Sequence, residues 1–201
     1  MSRCLFLAVI FGLVAMPACV SSRVQGRALT SEEPAYGTIA VFCDVDQEEA
    51  REEIEGAVAA QLTEGQVRAT PSLDILTESR VYEADEVRRV LADGGYEAML
   101  VLGFDDYFTE VFTNPGSIGV AGSPYGGAVY FEPPTAYDRS TLRVTLQLLD
   151  RESDRPVWEG EAVASSSQIH SLEGLAKEIA AKARGVLEDD GMIVRRARAN
   201  R

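Results

Sequence analysis

The sequence predicts an α/β domain: a mixed sheet with a parallel beginning and an antiparallel meander, and three helices packed mainly on one face. Three observations predict it. Apolar runs without clean alternation, at residues 38–43 and 98–104, are separated by amphipathic stripes, as buried strands joined by right-handed crossovers require. Leu142, Val144, Leu146 and Leu148 alternate with Thr141, Arg143, Thr145 and Gln147, the period-two signal of a strand with one wet face. A long apolar stripe from Leu172 to Leu187 then closes the domain with a helix.

The elements follow in order. Residues 38–43 form the first strand, and Asp46 stands where a helix cap is needed, with Glu49 completing a capping box. Ala50, Ile54, Ala57, Val58 and Leu62 recur at helical spacing, with Glu48, Glu52, Glu53 and Glu55 mostly off that stripe and Gly65 at its end. A short strand at 66–70 stops at Pro71, and residues 72–80 have room for one helical turn. Ala84, Val87, Val90 and Leu91 mark a second helix closed by Gly94 and Gly95. The clearest strand is 98–104, and residues 107–112 prolong or follow it. Residues 114–127 hold Gly116, Gly119, Gly122, Gly126 and Gly127, and 129–131 suit a returning strand. Strands at 140–149 and 156–164 flank the polar turn 150–155. Ser171 is placed to cap the last helix and Gly191 to stop it.

The boundaries outside this core come from composition. Arg3, an apolar run at 5–14, and Met16-Pro17-Ala18-Cys19 read as a lipoprotein-type signal peptide, residues 1–18, with Cys19 as the lipidation site. That run is shorter than the about 20 residues a spanning helix needs. Ordinary secretion with cleavage nearby, or an uncleaved apolar tail, are the competing readings. Residues 19–37 read as an acylated cysteine and flexible tether, 38–191 as a single α/β domain, and 192–201 as a disordered basic tail with Arg195, Arg196, Arg198 and Arg201.

Net charge is −13, and residues 28–190 hold 32 acidic against 12 basic side chains. Such a domain is repelled by nucleic acid and by anionic membrane beyond the reach of an anchor. With Cys4 in the signal and Cys19 acylated, only Cys43 remains, so no intramolecular disulfide is expected. Cys43 lies in an apolar strand beside Asp44, which suits a core residue and not a redox thiol.

Asp44, Asp46, Asp105 and Asp106 are the residue-level candidates for chemistry. In parallel strands Asp44 and Asp105 leave the same carboxyl edge, where oxygen ligands from two loops can bind calcium or magnesium. Caps, turns and solubility account for the same residues. His170 with Ser165, Ser166 and Ser167 lacks the Gly-x-Ser-x-Gly elbow of a hydrolase, and no His/Cys set suits zinc. The glycines of 114–127 lack the lysine of a phosphate loop. No catalytic residue and no cofactor is assigned. Ile118, Tyr125, Tyr130 and Phe131 are instead candidates for contact with a partner, or for covering the protein's own sheet.

Trp158 follows the strand at 146–150 and a polar turn, and precedes the last helix. This arrangement, with the strands at 39–42 and 95–102, resembles small bacterial envelope lipoproteins whose domain is similar to the amino-terminal domain of TolB and to curli-secretion lipoproteins. The resemblance covers 38–191, with Gly95-Tyr96-Glu97 in place of the common Gly-Ala-Asp and a more charged turn. It implies a structural Trp158 and a membrane-anchored envelope accessory or assembly lipoprotein, acting through protein–protein interaction and not as an enzyme. Val20 after Cys19, in place of an aspartate retention signal, implies the periplasmic face of the outer membrane. The implied partners are an envelope protein, the bilayer through acyl chains, and other copies in a ring. The enzyme alternative is a metal-dependent or other hydrolase using the Asp44/Asp46/Asp105 edge.

Overall fold

The computed structural model describes residues 20–64, 66–76, 82–114, 117–123, 126–132, 135–153, 155–166 and 171–195. Among the described residues, eight strands and three α-helices follow in chain order: β1 (Val20–Ala28), β2 (Thr38–Asp44), α1 (Glu48–Thr63), β3 (Arg68–Pro71), α2 (Ala84–Asp93), β4 (Ala98–Asn114), β5 (Ser117–Ser123), β6 (Gly126–Glu132), β7 (Thr135–Asp150), β8 (Arg155–Ser166) and α3 (Leu172–Asp189). A 3₁₀ turn, Ser72–Asp74, lies in the stretch predicted to hold one helical turn, of which residues 77–80 lie outside the described residues. Six strands form one sheet in the order β1-β8-β7-β4-β2-β3, while β5 and β6 form a separate hairpin. β2 pairs in parallel with β3 and β4, and the remaining pairings are antiparallel, so the predicted mixed sheet is present.

α1 and α3 cover one face of the sheet, where Ile54, Val58, Leu62, Leu175, Ile179 and Leu187 meet Leu100, Leu102 and the alternating Leu142, Val144, Leu146 and Leu148 of β7. α2 lies against the other face, with Leu91 and Val87 over Ala40 and Met99. Both α2 and α3 end where a glycine takes a positive φ, 71° at Gly95 and 70° at Gly191, and the following amide bonds back five residues, Tyr96 to Leu91 and Met192 to Leu187. A side chain bearing Cβ is disfavoured in that conformation, which is why these glycines stop the helices. Ser171 caps α3 by accepting from the Gly174 amide at 3.1 Å. At α1 the expected Asp46–Glu49 capping box does not form: the cap is Gln47, with no side-chain hydrogen bond.

Two segments outside the expected core belong to it. Residues 20–28, read as tether, are the edge strand β1, paired along its whole length with β8. Val20, Ser22 and Val24 are half-buried under α3 while their neighbours face solvent, so only one side of this strand carries an apolar signal. Past α3 the chain turns back, and Met192 and Ile193 are buried, with Ile193 bridged in parallel to Tyr36. Met192 and Ile193, read as the start of the basic tail, thus belong to the core, and residues 196–201 lie outside the described residues, as do residues 1–19.

Trp158 fastens β1 to this core. It is fully buried, and its Nε1 donates to Asp190 Oδ2 at 2.7 Å. The ring occupies the space above Gly26 of β1 and Gly160 of β8, where a Cβ on either residue would collide with it. The structural role implied for Trp158 is thus explicit: its ring spans two strands because both present glycine beneath it.

Tyr36 and Asp150 tie the opposite end of the sheet. The Tyr36 hydroxyl donates to Asp150 Oδ1 at 2.9 Å, and Ser153 donates to Oδ2 through its hydroxyl and its amide at 2.7 and 2.8 Å. Burial pushes the Asp150 carboxyl up, but the Ser153 and Tyr36 bonds outweigh it and hold it below the ordinary aspartate value. Its contribution to stability is full above the unfolded value of about 4 and is lost as pH falls through the lower folded value. Asp150→Asn should therefore flatten the acid limb of stability, seen as a smaller loss of urea midpoint between about pH 5 and about pH 3 than in the wild type. Burial, then the Asp150 bond, raise the Tyr36 phenol, so its contribution is full below about pH 10 and is lost in stronger alkali.

Candidate functional site

One row of paired residues marks the end of the six-stranded sheet. Val20 lies opposite Ser166, Ser166 opposite Ser140, and Ser140 opposite Thr109. Hydroxyls line this end, with Thr109 and Ser140 3.3 Å apart and Ser21 and Ser165 3.0 Å apart. Beyond the row, among the described residues, only β4 and β7 continue, from Glu110 opposite Arg139 to Asn114 opposite Thr135. β5 and β6 take up the same register: Ser117 stands opposite Glu132, three residues on along one strand and three back along the other. The pair closes at Ser123 opposite Gly126. Residues 107–112 thus prolong the strand at 98–104, and Gly119, Gly122, Gly126 and Gly127 of the glycine-bearing segment lie in the two-stranded hairpin of β5 and β6.

A bulge sets the faces of the ribbon root. Register shifts between Phe104 and Asp106, so two residues of β4 oppose one of β7. After it, Tyr107 stands opposite Leu142 on the helix-covered side, and alternation puts Val111 on that same side. Tyr107, two residues inside the last row, is 44% exposed, and Val111, two residues beyond it, is 67% exposed. Neither was singled out from sequence, because a period-two pattern read without the bulge does not reveal where the helices stop covering it.

The acidic candidates do not converge. Asp44 ends β2 and Asp46 sits before α1, both exposed. Asp105 and Asp106 lie inside β4 at the bulge, not in a loop after it, and Asp105 accepts from the Thr145 hydroxyl at 2.7 Å. Among the described residues no group of three or more His, Cys, Asp or Glu is placed to hold a metal ion. His170 lies outside the described residues, as do Cys19 and Tyr125; Ile118 lies in β5, and Tyr130 and Phe131 lie in β6.

At the carboxyl end of the parallel strands, where α/β folds commonly bind ligands, a carboxylate fills the space instead. Glu55 is fully buried and accepts from the Cys43 amide at 2.9 Å, the Leu73 amide at 3.1 Å, Arg51 Nε at 2.8 Å and Ser72 Oγ at 2.8 Å. Arg51 also donates to Ser72 Oγ at 2.7 Å. This network joins β2, α1 and the 3₁₀ turn. Its signal was present in the sequence: Glu55 sits three, four and seven residues before Val58, Ala59 and Leu62, on the buried side of α1. Burial, then the Glu55 charge, pushes the Cys43 thiol up, with Arg51 opposing, so Cys43 is an inert core residue.

The fold is similar to that of PelC from Paraburkholderia phytofirmans, crystallised as a dodecamer. The TM-score is 0.50 at 13% identity, over 86% of this chain and 99% of that chain. A point variant of the same dodecamer gives 0.51 at 13% identity, over 87% and 100%. Lipoprotein GNA1162 from Neisseria meningitidis aligns with a TM-score of 0.42 at 15% identity, over 77% and 99%. No family model matches the sequence, and no curated protein matches it. At these identities the likeness to PelC is one of fold. Among the described residues no helix is long and apolar enough to cross a membrane.

Proposed function

We propose that the chain is an envelope accessory or assembly lipoprotein, anchored through acylated Cys19 at the periplasmic face of the outer membrane and acting through protein–protein contact. The observation that carries this reading is the ribbon. Among the described residues no third strand pairs with it, and such a ribbon is marginal in water with open edges on both sides; Val111 is exposed on it, and Tyr107 is exposed just inside the sheet's end. The proposal extends to Ile118, Tyr125, Tyr130 and Phe131, the contact candidates offered by the sequence. A second copy of the chain is a candidate partner, in keeping with the dodecamer formed by PelC.

A photo-crosslinking residue at Val111, used in intact envelopes, tests the contact. Adducts of twice the chain mass support self-assembly, adducts of other mass support a different envelope partner, and absence of any protein adduct overturns the ribbon as the contact element. Metabolic labelling with a palmitate analogue tests the anchor: labelling should be lost in Cys19→Ala, and unchanged labelling removes the lipoprotein assignment.

A further inference from the structure

An open sheet edge is a template for another strand, and the two edges of the six-stranded sheet are built differently. β3 is four residues long and ends at Pro71, which has no N–H to offer. β1, at the other edge, runs for nine residues without a proline and keeps unbroken register with β8 from Val20 opposite Ser166 to Ala28 opposite Trp158. Among the described residues no strand pairs with its outer side.

The pairing with β8 fixes which backbone groups line that outer side. The Leu29 amide donates to the Val157 carbonyl at 2.7 Å, and hydrogen-bonded pairs alternate along an antiparallel ladder. Arg27, Gln25, Arg23 and Ser21 therefore direct their N–H and C=O groups to β8, and those of Ala28, Gly26, Val24 and Ser22 point away from it. Trp158 over Gly26, and the packing of Val20 and Val24 on the core, hold this row of donors and acceptors in place.

The side chains beside the row have one sign of charge. Ser21, Arg23, Gln25 and Arg27 are exposed and alternate onto the face away from α3. Residues 20–31 contain no Asp or Glu, in a chain of net charge −13. Arg27 reaches Glu159 of β8 at 2.7 Å, yet its side chain remains 74% exposed, and a guanidinium has N–H groups to spare for a second carboxylate. An incoming strand lays every second side chain next to this face, so carboxylates at alternate positions meet both arginines.

From this we infer that the outer edge of β1 is a strand-acceptor site whose occupant is an extended acidic segment of a partner protein, its carboxylates beside Arg23 and Arg27 and its backbone bonded to residues 22–28. Main-chain bonds supply the affinity of such a contact and the alternate side chains its specificity. The site is a second docking element besides the ribbon, and it does not depend on acylation of Cys19.

The test uses the full chain in detergent micelles and a fluorescent peptide of alternating glutamate and valine, as long as β1, with an alternating lysine–valine peptide for comparison. Fluorescence anisotropy is expected to show the glutamate peptide binding about tenfold or more tightly than the lysine peptide, and hydrogen exchange to slow at the Ser22, Val24 and Gly26 amides. Val24→Pro removes an N–H that β8 does not use, so far-UV circular dichroism should be kept while binding of the glutamate peptide falls about tenfold or more. Ser22→Pro repeats that measurement at the neighbouring outward amide, and Arg23→Glu, which leaves the backbone intact, should abolish the preference for the glutamate peptide. Equal affinity for the two peptides overturns the acidic occupant. Binding of the glutamate peptide that is unchanged in both proline variants overturns the edge as the site, and absence of binding overturns the inference as a whole. A chain that light scattering shows to be a dimer, and that becomes a monomer in Val24→Pro, assigns the edge to a second copy and overturns the acidic occupant as well.

Discussion

Replacing Trp158 with alanine is expected to lower the unfolding free energy by about 3–5 kcal/mol, a large share of the roughly 5–15 kcal/mol that holds a domain of ordinary size together. Two losses combine. The indole leaves a void that neighbouring strands cannot fill, because the atoms beneath it are Gly26 and Gly160 with no side chains to relax inward. The bond from Nε1 to Asp190, which joins β8 to the end of α3, disappears too. Far-UV circular dichroism in urea measures the effect, since the variant lacks the chain's one tryptophan. A midpoint equal to wild type would refute the account. The companion substitution Gly26→Val acts on β1: its branched Cβ occupies the ring's space, so the edge strand detaches while the rest of the sheet remains. Limited proteolysis should then cleave within residues 20–28 at protease concentrations that leave the wild type intact. Arg27, which pairs with Glu159 at 2.7 Å on the exposed face, is too solvated to hold the strand alone.

Glu55→Ala should be comparably severe, at about 3–5 kcal/mol, because removing one partner of a buried ion pair strands the other. Arg51 would lose its carboxylate, and the Cys43 and Leu73 amides and the Ser72 hydroxyl would lose their shared acceptor. Buried donors without partners each carry a desolvation cost. Glu55→Gln keeps the shape but turns an amide donor toward a group of donors, so an intermediate loss is expected. Alkylation of Cys43 gives a second readout: the thiol is buried and unreactive in the native state, and its labelling by iodoacetamide should rise in Glu55→Ala as the end of β2 opens. A variant that unfolds at the wild-type urea concentration and labels no faster would show the network to be dispensable.

The helices and the central strands were legible because their signals are local. An apolar stripe at 3.6-residue spacing in residues 172–187, alternation in β7, and Gly95 and Gly191 after their helices each report burial or backbone conformation within a few residues. The misplaced cap at Asp46 has the same local origin. Asp46 and Glu49 have the spacing of a capping box, but α1 begins one residue after Gln47, which shifts the register of its first turn. Glu55 stands among the glutamates placed mostly off the apolar stripe, yet it is fully buried. Its burial depends on partners in β2 and in the 3₁₀ turn, which arrive from elsewhere in the chain.

What the sequence by itself determined is the α/β class, the order of helices and central strands, the stops that end α2 and α3, and the uncharged stretch between Glu110 and Glu132. Only the tertiary structure decided that residues 20–28 are a strand, that β4 and β7 run past the sheet as a ribbon, that α2 lies on the opposite face from α1 and α3, and that the acidic residues stay apart. The physical reason is the same in each case. An edge strand or a projecting ribbon buries little of its own surface, so periodicity barely marks it, and its place is set by hydrogen-bonded neighbours and by contacts such as Trp158 on Gly26, more than a hundred residues apart in the chain.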